Sequence, residues 1–105
     1  MSYFVEQRIY YPRGADPRIE LHERAAPTLG VYYRGQGRYM VATNRIGTRQ
    51  LTHTGTLLWK PEKYVATRWC RFDFETACRM AAEHVDDLRM SGDLTWAEYL
   101  ESLHD

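Results

Sequence analysis

Eight basic side chains lie between residues 34 and 71, namely Arg34, Arg38, Arg45, Arg49, Lys60, Lys63, Arg68 and Arg71. Tyr32, Tyr33, Tyr39, Trp59, Tyr64 and Trp69 are interleaved with them. Arg outnumbers Lys twelve to two over the whole chain. That bias favours planar, bidentate contacts to carboxylate or phosphate, and stacking on rings, over the diffuse solvation that Lys provides. Such a set can grip an acidic protein surface, or it can hold single-stranded nucleic acid with aromatic platforms between guanidiniums. It can equally solvate the outer face of a sheet and pair with acids of the same chain. No RNP-type motif, GXXG loop or helix carrying the basic residues is present, which places nucleic acid behind protein as the expected partner.

The charges are strongly segregated. Residues 1–72 carry 12 Lys+Arg against 5 Asp+Glu, and residues 73–105 carry 2 against 9, so the formal balance of zero is a cancellation of +7 and −7. The acidic set is Glu75, Glu83, Asp86, Asp87, Asp93, Glu98, Glu101 and Asp105. Asp86 and Asp87 fall toward the expected end of a helix, where exposed negative charge costs about 0.3–1 kcal/mol each, so their placement asks for a partner. An Arg of the same chain would serve, as would a basic surface on another molecule. The candidate binding residues are Tyr32, Tyr33, Arg34, Arg38, Tyr39, Arg45 and Arg49 on the basic side, with Glu83, Asp86 and Asp87 on the acidic side.

Catalytic, metal and cofactor chemistry finds little support in the residue spacing. His22, His53, His84 and His104 show no HxxxH, HxH or CxxC relationship with one another or with the cysteines. Cys78 and His84 are six apart on one expected helix and project to different faces. Neither Cys70 nor Cys78 sits in an activating motif, Asp86 and Asp87 are adjacent and diverge, and Gly35-Gln36-Gly37 is too short for a phosphate loop and leads into a strand. The expectation is a non-enzymatic protein with no cofactor and no metal.

These side chains must be positioned by a small number of elements. Residues Tyr3 to Tyr11 alternate as a half-buried strand, with Tyr3, Val5, Ile9 and Tyr11 on one side and Phe4, Glu6, Arg8 and Tyr10 on the other. Three prolines and Gly14 interrupt residues 12–27, within which Arg18 to Arg24 can form a short strand. Leu29 to Asn44 reads as a hairpin turning at Gly35-Gln36-Gly37, because Gly supplies the positive φ of such turns. Further strands are expected at Gln50–Thr54 and Thr56–Lys60, hinged at Gly55, and at Lys63–Phe72.

From Asp73, an N-cap, the period changes. Phe74, Ala77, Cys78, Ala81, Val85 and Leu88 follow helical spacing toward an end near Ser91-Gly92. A second helix opens with Thr95 and Glu98 as a capping box and Leu94 with Tyr99 as a staple, carrying Trp96, Tyr99, Leu100 and Leu103 as its apolar stripe. The sequence therefore predicts one α+β domain over residues 1–105. It comprises an antiparallel sheet of about four to six strands followed by two C-terminal helices packed on one face.

With 44% hydrophobic and 27% charged residues, and 14 aromatic side chains in 105 residues, the chain has the composition of an ordinary globular domain. No stretch approaches a membrane span and the N-terminal residues do not read as a signal peptide, so a cytoplasmic location is expected, with both cysteines reduced. The function expected is that of an interaction module for a protein or ribonucleoprotein complex. Single-stranded nucleic-acid binding is the alternative and a small enzyme of unseen mechanism a third. In size and in lacking a catalytic signature the chain is similar in type to the small inhibitors that phages and mobile elements direct at host defence complexes, anti-CRISPR proteins among them; no residue motif carries that similarity.

Overall fold

The computed structural model describes residues 7–14, 27–43, 49–59, 62–89 and 94–104. Among these, five strands form one antiparallel sheet in simple sequential order: β1 (Gln7–Tyr10), β2 (Leu29–Tyr33), β3 (Tyr39–Thr43), β4 (Arg49–Leu51) and β5 (Leu57–Trp59). Helices follow as α1 (Lys63–Arg68), α2 (Phe74–His84), a 3-10 turn at Val85–Asp87, and α3 (Trp96–Ser102). The expected α+β architecture is present. The expected strands around Tyr3 to Val5 and Arg18 to Arg24 lie outside the described residues, as does Arg45.

Pairing between β2 and β3 joins Leu29 with Thr43, Val31 with Val41 and Tyr33 with Tyr39, so these residues share one face. Side chains alternate along a strand, which leaves Tyr32, Met40 and Ala42 on the other. The first face carries the core: Leu29, Val31, Val41 and Leu51 meet Ala77, Met80, Ala81 and Val85 of α2 and its 3-10 extension. The apolar stripe read from the sequence is the surface that α2 buries. Tyr10 packs against this core and the Arg8 guanidinium lies 5.0 Å from the Phe74 ring centroid, which turns the Arg8/Tyr10 side of β1 toward the helix.

The β2–β3 connection shows why glycine is needed there. Arg38 N–H donates to the Gly35 carbonyl (2.9 Å), and both residues between them have positive φ, 54° at Gln36 and 70° at Gly37, the signature of a type I′ turn. Gly35, itself at φ 94°, is the extra residue that makes the loop three long.

Two expectations are corrected. Lys63–Arg68 is helical, whereas Tyr64, Val65, Thr67 and Trp69 give Lys63–Phe72 the composition of a strand. Local bonding supports the helix: Thr67 Oγ1 donates to the Lys63 and Tyr64 carbonyls (3.0 and 3.1 Å), and Arg68 sits one turn from Tyr64 with its Nη1 3.0 Å from the phenol oxygen. A β preference of at most about 1 kcal/mol per residue is easily overridden by such context.

The second correction concerns α2, which ends at His84 and tightens into the 3-10 turn, well before Ser91 and Gly92. Leu88 is already extended (φ −65°, ψ 139°) and Arg89 forms an antiparallel bridge with Thr95. The predicted caps hold: Asp73 accepts from Thr76 N–H at 2.7 Å and Thr95 Oγ1 from Glu98 N–H at 3.2 Å. Along α3 the stripe divides, Trp96 being buried and Leu103 exposed.

Between α1 and α2 the chain does something its composition does not announce. Tyr39 and Phe72 exchange both backbone hydrogen bonds (2.7 and 2.9 Å), and His53 N–H donates to the Trp69 carbonyl (2.8 Å). Strands β3 and β4 pair directly at Ala42 and Gln50, and the segment 69–72 occupies the space where they diverge. Cys70, expected at a strand end, is a buried residue of this wedge; Cys78 on α2 is half-buried, and both are free thiols.

Candidate binding surface

Strand parity divides the predicted basic set between two faces. Tyr33 and Tyr39 lie on the α2 side, where Tyr33, Tyr39 and Phe74 form a row of tilted rings with centroids 5.2 and 4.9 Å apart. The Tyr33 hydroxyl accepts from Gly37 N–H (3.2 Å) and so also fastens the hairpin tip. The geometry gives these two tyrosines a packing role.

Tyr32, Arg34 and Arg38 belong to the other face. Tyr32 lies against Gly30, where a Cβ would run into the Tyr32 phenol, and the Arg34 guanidinium is 5.8 Å from the Tyr32 ring centroid. Antiparallel pairing of Tyr39 with Phe72 sets Arg71 opposite Met40, so Arg71 joins this face from the wedge. Its Nη1 donates to Gln50 Oε1 (2.8 Å) and to the Cys70 carbonyl (3.0 Å). Partial burial and the neighbouring Arg34 charge pull the Arg71 guanidinium below its ordinary value, with a smaller opposing effect from Cys70. Arg38 acts instead on Asp73, whose carboxyl is held below its usual range chiefly by the Thr76 N–H bond and in smaller part by Arg38 and Arg79.

A third group comes from β4, β5 and α1. The Arg49 guanidinium stacks 5.2 Å from the Trp59 ring at the sheet edge, where Arg49 and Trp59 are cross-strand partners. On α1, Arg68 lies 5.8 Å from the Tyr64 ring, and Trp69 contacts Tyr64 edge-on at 5.7 Å and the His53 imidazole at 5.9 Å. Trp59 and Tyr64 are 58% and 57% exposed, an unusual state for rings of that size. Trp59, Tyr64, Trp69 and Arg68 belong to the aromatic and basic pattern of the sequence, but their joint exposure becomes visible only once Lys63–Arg68 is known to be helical. His53 carries no sequence signal; it enters through the turn that Gly55 makes.

The acidic residues are dispersed. Glu83, Asp86 and Asp87 are exposed on α2 and its 3-10 extension. Asp86 Oδ1 accepts the backbone N–H of Arg13 (2.6 Å), so its partner is a main-chain amide and not a guanidinium. Arg89 pairs with Glu98 at 3.2 Å, linking the two ends of the turn into α3. No group of three or more His, Cys, Asp or Glu among the described residues could hold a metal ion, and no helix among them is long and apolar enough to cross a membrane. No family model matches the chain, nor does any curated protein or solved structure.

Proposed function

We propose that this protein is a non-enzymatic interaction module that docks on a protein or ribonucleoprotein through its Arg and aromatic surface. The supporting observation is the pair of exposed guanidinium stacks, Arg49 on Trp59 and Arg68 on Tyr64, with Trp69 beside the second. Trp, Tyr and Arg are the residue types that dominate binding energies at protein interfaces, and a ring held in place by a neighbour loses less rotamer freedom on binding. An inhibitor of a host defence complex, of the anti-CRISPR type, is the narrow form of this reading.

The test is affinity capture with Trp59→Ala/Tyr64→Ala beside wild type, using Glu83→Lys/Asp87→Lys as the acidic counterpart. Loss of a captured complex in the aromatic variant, with its melting temperature retained, is the expected result. Equal capture by both would remove this surface from consideration. The same stacks favour single-stranded nucleic acid as a second reading. That reading requires quenching of Trp fluorescence by an oligonucleotide and an affinity that falls steeply with salt.

A further inference from the structure

Helix α1 and the β4–β5 turn bring three rings together as an exposed corner. Tyr64 meets Trp69 at 79° with centroids 5.7 Å apart, and the His53 imidazole lies on from Trp69 at 5.9 Å and 34°. Tyr64 is 57% exposed and Trp69 38%. Arg68 Nη1 donates to the Tyr64 phenol oxygen (3.0 Å), and the Trp69 carbonyl accepts from His53 N–H (2.8 Å), so each wall is fastened to its neighbour before any ligand arrives.

The polar groups that Tyr64, Trp69 and Arg68 bring to this corner are donors. The Tyr64 oxygen already accepts from Arg68, which leaves its hydroxyl proton to give. Among the described residues the Trp69 indole N–H and Arg68 Nε and Nη2 make no hydrogen bond. The complement is a chain with free carbonyl acceptors, no donors and small apolar rings. Proline-rich polyproline II has that character: its carbonyls make no internal bonds, proline lacks N–H, and its locked φ leaves little freedom to lose on docking.

Other occupants fit less well. A helix has spent its carbonyls internally, and a strand brings N–H groups for which this corner has no acceptor. A methylammonium group is repelled by the Arg68 guanidinium, 5.8 Å from the Tyr64 ring centroid. A nucleobase needs an open ring face, whereas Trp69 already carries two ring neighbours.

We propose that Tyr64, Trp69 and His53 dock a proline-rich, polyproline II segment of the protein partner, with Arg68 taking an acidic residue that flanks it. This rests on reading the Arg and aromatic surface as a protein-docking surface, and it names what docks there.

The probe is an acetylated oligoproline peptide ending in a pair of aspartates, titrated into the full chain while the tryptophan indole N–H resonances are recorded. The Trp69 resonance is expected to shift saturably and that of buried Trp96 to stay in place. Tyr64→Phe, which keeps the ring and loses the donor, should weaken binding about threefold to tenfold, the scale of one hydrogen bond. Arg68→Gln should weaken the aspartate-tailed peptide and leave the untailed oligoproline unchanged. An unmoved Trp69 resonance, or equal binding of a peptide with alanine in place of proline, would overturn the proposal. Binding of oligothymidylate in preference to oligoproline would overturn it in favour of nucleic acid. If oligoproline fails while capture of a protein complex is still lost in Trp59→Ala/Tyr64→Ala, the polyproline assignment falls and the docking surface stands; if capture is untouched while oligoproline binds at Trp69, the reverse holds.

Discussion

The imidazole of His84 lies directly over Gly55: a Cβ at that glycine would stand 2.6 Å from Cε1 of the ring. The last residue of α2 is thereby seated on the β4–β5 turn, where Thr52 N–H donates to the Thr56 carbonyl (2.8 Å) and Gly55 N–H to the Thr52 carbonyl (2.9 Å). Gly55 is also at φ 86°, so both space and backbone exclude a side chain.

Gly55→Ala should therefore destabilise the domain by about 1–2 kcal/mol through the backbone term alone, with the clash in addition. The combination Gly55→Ala/His84→Ala should recover the part due to the clash. Urea denaturation of the two single variants and the double variant forms the cycle, and simple additivity would show that ring and turn do not meet.

Asp86 and Asp87 are neighbours with different work. Asp86→Ala should cost about 0.5–1 kcal/mol by removing the acceptor of the Arg13 amide, whereas Asp87→Ala should stay within about 0.5 kcal/mol of wild type. Equal effects in denaturant titrations would contradict the assignment of the Arg13 contact to Asp86.

The cap of α2 gives a pH signature. Asp73 has a folded pKa below its ordinary value of 3.8, mainly because its carboxylate accepts the Thr76 amide. Its contribution is present above 3.8, where the unfolded carboxylate is also ionised, and is lost as the pH falls through the lower folded value. The gap in melting temperature between wild type and Asp73→Asn should thus be constant at neutral pH and shrink below 3.8. A gap that widened in acid would give the shift the opposite sign.

Thiol accessibility separates the cysteines. Cys70 is fully buried in the wedge, and burial pushes its thiol above the ordinary value, with Arg71 opposing. Cys78 is only partly covered, beside a Tyr10 phenol that is itself raised, first by burial and then by that thiol. The native protein should react with a disulfide reagent at Cys78 well before Cys70, and the denatured protein should release both. Peptide mapping after partial modification decides the order.

Two features of the sequence carried most of the fold. Cap residues joined to helical spacing gave α2 from Asp73 and α3 from Thr95, because those signals are local and need no knowledge of the rest of the chain. Gly35-Gln36-Gly37 gave the hairpin for the same reason. Helix α1 was hidden because Tyr64, Val65 and Thr67 prefer strands when read alone. The end of α2 was hidden because the chain beyond it turns extended at Leu88 and bridges from Arg89 to Thr95, a pairing that residue spacing does not announce. Within the site, adjacent residues such as Tyr32 and Tyr33 look alike in composition, and only pairing decides that one faces Arg34 while the other packs toward Phe74. Arg71 belonged to the basic pattern, but its position beside Met40 required the wedge.

That wedge also sets an order of events during synthesis. The outer side of β3 at Tyr39 is satisfied by Phe72, and the turn amide of His53 by Trp69, so a nascent chain that has delivered all five strands to the ribosome exit still carries open backbone groups between β3 and β4. Closure waits for residues that emerge after α1. Until then the half-made sheet keeps open backbone groups, the kind of unpaired edge with which a second chain can pair.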